Sequence, residues 1–161
     1  MKKRIASNST HDTRIKTEMA PATYPRTSTL SIPFPDIPIC AGFPSPAADF
    51  TENSVNLNEL LIKHPSATFF IKVSGASMTG AGIFPGDLLV VDRSVEPQHN
   101  TVVIAILNGE FTVKRLLKSS NSITLAPENP QYRPISVTEG SDFEVWGVVT
   151  HVIHSPSSPA Q

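Results

Sequence analysis

The sequence predicts a mainly β, mostly antiparallel domain with one short helix, preceded by a flexible N-terminal arm. Three observations carry that expectation. Apolar residues recur with a period of two in several short runs, an Asn-Gly pair separates two of them, and prolines outnumber glycines by 15 to 8. A period of two is the alternation of side chains across a strand. Asn-Gly supplies the two positive-φ residues of a tight hairpin, and proline is poorly tolerated in helix interiors. With 161 residues the chain has room for one ordinary domain and little more.

Residues 1–41 hold 6 basic against 3 acidic groups, a charge of +3, while the rest of the chain holds 7 against 11, a charge of −4. That first stretch carries Pro21, Pro25, Pro33, Pro35 and Pro38, many Ser and Thr, and no sustained apolar period. Proline removes a donor and pushes its predecessor to extended geometry, so 1–41 is expected to be an arm. Its last part runs into LSIPFPDIPICAGFPSPA, where apolar residues return among the prolines. That reads as an extended, strand-like peptide suited to lying in a groove. In NLNELLIKHP, Asn56 can cap a short helix, Glu59 sits three residues on, and Pro65 supplies a stop.

The strands follow. Phe69, Ile71 and Val73 alternate with Phe70, Lys72 and Ser74. DLLVVD (87–92) comes after a Pro85-Gly86 turn and is apolar enough to be buried on both faces. TVVIAIL and EFTVKRLL flank Asn108-Gly109 as a hairpin. SITLAP and FEVWGVVTHVI supply further strands, and SPSSPAQ reads as a disordered tail. The expected domain is therefore 42–155, with 156–161 beyond it.

Composition excludes several classes. Hydrophobic residues at 39% and charged residues at 17% fit a soluble globular chain. One cysteine rules out a disulfide framework and a Cys-based zinc finger. A net charge of −1 gives no global positive field for nucleic acid. No run approaches the roughly 20 apolar residues that span a bilayer, and the basic start lacks the apolar stretch of a secretory signal. A cytoplasmic protein is expected, with no metal and no cofactor.

The chemistry gathers in VSGASMTGAGIFPGDLLVVDR, which puts Ser77 after a Gly-Ala pair where strand gives way to turn. A serine hydroxyl is a weak nucleophile until a neighbouring base takes its proton. His64, His99, His151 and His154 are candidate bases, but a G-x-S-x-G elbow is absent because position 79 is Thr. The other candidate is a lysine. On EFTVKRLL, Lys114 shares a face with Thr112 and Leu116, and Arg115 points the other way. A lysine held among apolar groups loses basicity and can act as a neutral general base. Spacing alone leaves the choice of base open.

The blocks CAGFPSPAADF, NLNELLIKHPSATFFIKVSGASM, GDLLVVDR and GEFTVKRL, in that order, resemble the UmuD-like SOS mutagenesis proteins of the LexA/UmuD self-cleaving serine peptidase family. The resemblance covers about residues 38–154, and S-G-x-S-M followed by F-T-V-K-R is highly specific to the family. It implies a compact LexA/signal-peptidase-like β fold. It also implies Ser77 as nucleophile, Lys114 as its general base, and the N–H groups of Ala76 and Ser77 as candidate oxyanion donors. The substrate would be the chain's own arm. Family members cut just before a Gly, after Ala or Cys. This chain reads Cys40-Ala41-Gly42-Phe43, so Ala41-Gly42 is the expected junction and Cys40-Ala41 the runner-up.

The resemblance further implies a homodimer, stimulation by a RecA–single-stranded DNA filament, and a UmuC-like Y-family polymerase as partner in translesion synthesis. Two alternatives stand beside it. A LexA-like repressor would need a helix-turn-helix domain, which 41 proline-rich residues without a helical period are not expected to build. Sequence-specific DNA binding is accordingly not expected. A non-catalytic adaptor of the same fold would make Ser77 and Lys114 incidental. Signal peptidases share the Ser/Lys chemistry, but they need a membrane anchor, which is not expected here.

Overall fold

The computed structural model describes residues 31–35 and 52–156. Strand β1 (Ser31–Pro35) pairs antiparallel with β2 (Glu52–Asn56), with Ile32 opposite Val55. β1 lies in the part of the expected arm that reads as strand-like. Its prolines lack donors, and a two-stranded ribbon, where only alternate residues bond to the partner, can hold them.

Helix α1 (Leu57–Leu61) follows directly. Asn56 Oδ1 accepts the Asn58 N–H at 3.0 Å, and its Nδ2 donates to Glu59 Oε1 at 2.9 Å. The helix ends well before Pro65, with Ile62 in an extended conformation. None of its residues is buried, so no packing sustains a further turn.

The remaining strands form one sheet. They are β3 (Thr68–Lys72), β4 (Leu88–Asp92), β5 (Val102–Leu107), β6 (Glu110–Lys118), β7 (Ile123–Ala126), β8 (Ile135–Val137) and β9 (Phe143–Ile153). Their order is β3-β4-β9-β5-β6-β7-β8, and every pairing is antiparallel. β9, the longest at 11 residues, sits between β4 and β5. The register slips at Val90/Val91 and at Ile104/Ala105, on either side of β9. Such bulges bend and twist a sheet locally.

Both faces carry a core. On one, Val73, Met78, Ile83, Leu89, Val91, Ile104 and Trp146 pack together. On the other, Val103, Ala105, Leu116, Leu125 and Val148 do. β5 thus sends Ile104 one way and its neighbours the other, which is why its sequence is a continuous apolar run. The hairpin between β5 and β6 turns on Asn108 (φ 51°) and Gly109 (φ 83°), the positive values that an Asn-Gly turn requires. No helix among the described residues is long and apolar enough to cross a membrane.

Candidate active site

Ser77 rides on the long connection between β3 and β4. Its base is closed by two backbone bonds, Val73 N–H to Asp87 O at 2.8 Å and Gly86 N–H to Val73 O at 3.0 Å. Asp87 is buried, and its carboxylate is satisfied by the Phe84 N–H at 2.7 Å and by His154 Nδ1 at 2.7 Å. Gly75 turns the chain with φ 93°, and a Cβ there would meet nothing. Conformation rather than space therefore calls for glycine at 75. Met78 is 2% exposed and anchors the turn in the core, beside a single 3₁₀ turn over Thr79–Ala81.

The partner comes from β6. Val103 lies opposite Lys114 across the β5–β6 ladder, and Arg115 lies opposite Ala126 on β7. These pairings put Lys114 on the face of Leu116 and leave it 7% exposed. Its Nζ is 2.9 Å from Ser77 Oγ, 2.8 Å from Thr112 Oγ1 and 2.9 Å from Val113 O. Burial pushes its pKa below the ordinary 10.5, because the charged form loses water.

The three partners suit either protonation state. An ammonium donates to all three. A neutral amine donates to Val113 O and Thr112 Oγ1 and turns its lone pair to the Ser77 O–H. That second arrangement is what a general base for a serine hydroxyl needs, and the distance is within proton-transfer reach.

Each candidate histidine has a partner elsewhere. His64 Nδ1 is 2.6 Å from Asp92 Oδ2, and His154 pairs with Asp87. His99 Nδ1 accepts the Lys118 N–H at 3.0 Å, and His151 Nδ1 lies 3.2 Å from Thr150 Oγ1. Of the candidate bases, the structure brings only Lys114 to Ser77. Ala76 and Ser77 sit half-buried in the turn. Ala41 and Gly42 lie outside the described residues.

Sequence reasoning missed the loop after β7, which grips the turn that carries Ser77. Glu128 N–H donates to Ser77 O at 2.8 Å, and Glu128 O accepts the Gly80 N–H at 2.6 Å. Asn129 Nδ2 donates to Ala76 O at 2.8 Å. Arg115 joins this loop to β6, pairing with the Glu128 carboxylate and donating to Asn100 O at 2.8 Å. The available signal was P-E-N-P, an Asn between prolines after a strand, which marks a turn and nothing more.

Residues 35–150 match the Peptidase S24-like family. The chain belongs to it. Among curated relatives, Protein ImpA of Escherichia coli is 49% identical over 115 residues, covering 71% of this chain and 77% of that one. Protein MucA of Escherichia coli is 46% identical over 122 residues, 75% of this chain and 83% of that one. Protein SamA of Salmonella typhimurium is 47% identical over 118 residues, 73% and 81% of the two chains. Membership makes this a serine peptidase of the S24 kind, and these relatives make it a UmuD-like protein of the SOS mutagenesis type. In this S24 domain the β3–β4 connection and β6 hold the two side chains that the sequence singled out.

Proposed function

We propose that this UmuD-like protein is an autopeptidase that cuts its own Ala41-Gly42 bond with a Ser77–Lys114 dyad. The supporting observation is the 2.9 Å approach of Lys114 Nζ to Ser77 Oγ at a buried lysine whose charged form is disfavoured. Neutral Lys114 takes the Ser77 proton as Oγ attacks the Ala41 carbonyl carbon. The carbonyl oxygen, now negative, is met by the Ser77 N–H, with the Ala76 N–H as second candidate. Collapse breaks the C–N bond, and Lys114 returns its proton to the departing Gly42 amine. Water, activated by the same lysine, then releases the acyl group from Ser77.

A small residue on each side of the bond lets the backbone enter a tight site. The reaction is restrained while the bond spends most of its time away from Ser77. A partner that favours the docked arm raises the rate by population shift alone, supplying no catalytic group. We assign that part to RecA on single-stranded DNA. The trimmed cytoplasmic homodimer then serves a UmuC-like Y-family polymerase in translesion synthesis.

Incubation of the purified chain tests this. Intact-mass analysis is expected to show loss of residues 1–41 and a new N-terminus at Gly42, while Ser77→Ala stays whole. Adding the filament is expected to speed the wild-type reaction. A Ser77→Ala chain that still lost its arm would overturn the assignment, and a product starting at Ala41 would move the junction by one residue. An unchanged rate with filament would remove the SOS trigger and leave the chemistry.

A further inference from the structure

Resting on the Ser77–Lys114 reading, we infer that Asn129 is a positioning residue that aims the oxyanion donor. A trans peptide unit is a rigid plane whose C=O and N–H point in opposite directions. The Ala76 carbonyl and the Ser77 N–H belong to one such plane. Asn129 Nδ2 holds the carbonyl at 2.8 Å, so the N–H is turned to the other side. Thr79 adds weaker support, its hydroxyl donating to Ala76 O at 3.3 Å and accepting from Asn129 Nδ2 at 3.3 Å. Asn129 is itself fixed, because its Oδ1 accepts the Gln131 N–H at 2.9 Å.

The next peptide plane is held from the same loop, through Glu128 N–H to Ser77 O at 2.8 Å. Both planes that flank the nucleophile are thus pinned by consecutive residues. Among the described residues no group takes the Ser77 N–H, which leaves that donor for a developing negative charge. Asn129 shares no hydrogen bond with Lys114, whose amine is held by Ser77, Thr112 and Val113. Aiming the donor and depressing the lysine are therefore separable.

The separation gives the test. Self-cleavage of the full chain is followed from neutral pH to the high-pH plateau for wild type, Asn129→Leu, Asn129→Ala and Ser77→Ala, with a thermal melt of each. Losing one oxyanion donor outright costs about 100- to 1,000-fold. Misaiming it through Asn129 is expected to lower the plateau about 10- to 100-fold in both Asn129 variants. The pH midpoint is expected to stay where wild type has it, since the surroundings of Lys114 are untouched.

A midpoint displaced upward with the plateau regained would mean that Lys114 had lost its burial, and would overturn the inference. Loss of the cooperative melt in both variants would make Asn129 merely structural and overturn it too. With Ser77→Ala inert, a wild-type plateau in Asn129→Ala sinks the positioning role alone. Cleavage in Ser77→Ala at the wild-type rate sinks the dyad, and the positioning role with it.

Discussion

An alanine at position 80 would strike the backbone of the gripping loop. A Cβ built on Gly80 lies 2.5 Å from Glu128 O, 3.2 Å from Glu128 C and 3.6 Å from Glu128 Cβ. The φ of Gly80 lies outside the left-handed region, so the backbone suits alanine and the effect is steric alone. Ordinary contact begins at 3.4 Å, so the two segments must part by about 0.9 Å. The bond from Gly80 N–H to Glu128 O, now 2.6 Å, stretches with them. So does the bond from Glu128 N–H to Ser77 O.

Ser77 moves with the turn while Lys114 stays on β6, and the 2.9 Å approach leaves the range in which a proton passes directly. A misplacement of about 1 Å costs on the order of 100-fold in rate. Forced overpacking costs about 1–3 kcal/mol of stability, which a thermal melt reads separately. The assay is an intact-mass time course of self-cleavage. Gly80→Ala is expected to fold, with a lowered melting temperature, and to cleave about 100-fold slower. Cleavage within about threefold of wild type would refute the claim that this contact sets the Ser77–Lys114 geometry.

Two further outcomes follow from the same residues. The depressed pKa of Lys114 means that the unfolded chain binds this proton more tightly than the folded one, so stability rises with pH from the folded pKa up to the unfolded value near 10.5. Lys114→Met removes that dependence; denaturant unfolding is expected to show the variant gaining on wild type at neutral pH, by about 1.4 kcal/mol per unit of depression, with the gap closing toward pH 10.5. At the junction, Gly42→Val is expected to suppress cleavage and leave the melt unchanged, because only the approach of the bond to Ser77 is crowded; an unchanged rate would show that the junction lies elsewhere.

The sheet was legible where strands carry their own pattern. FEVWGVVTHVI is β9 residue for residue, and Asn108-Gly109 makes the expected hairpin. β2 and β8 were not, for a physical reason. Glu52–Asn56 offers one apolar side chain, Val55, and Ile135–Val137 is three residues long and largely exposed. Both are strands because of what they pair with, which no local pattern encodes. Helix α1 was legible at its cap and not at its end, since its length is set by packing that it does not have.

Of the candidate site, Ser77 and Lys114 could be read, because a strand's period puts Lys114 with Leu116 and a Gly-Ala-Ser turn offers a hydroxyl. Spacing could not choose lysine over histidine. That needed the tertiary facts that Asp87, Asp92 and Lys118 engage His154, His64 and His99. The hold of Glu128 and Asn129 on the turn spans about fifty residues of sequence and runs largely through backbone atoms, so it leaves almost no trace in residue types.

The pH dependence of unassisted self-cleavage tests the Ser77–Lys114 dyad most directly. A lysine of ordinary pKa is neutral about once in 2,500 molecules at pH 7, and each unit of pH multiplies that fraction tenfold. The rate is expected to climb tenfold per unit and level off below 10.5, where buried Lys114 becomes neutral. Lys114→Ala and Lys114→Arg are expected to abolish the climb along with the activity, since a guanidinium stays protonated throughout. Substantial cleavage in Lys114→Ala, with a profile flat above neutral pH, would contradict the dyad and return the base to a histidine.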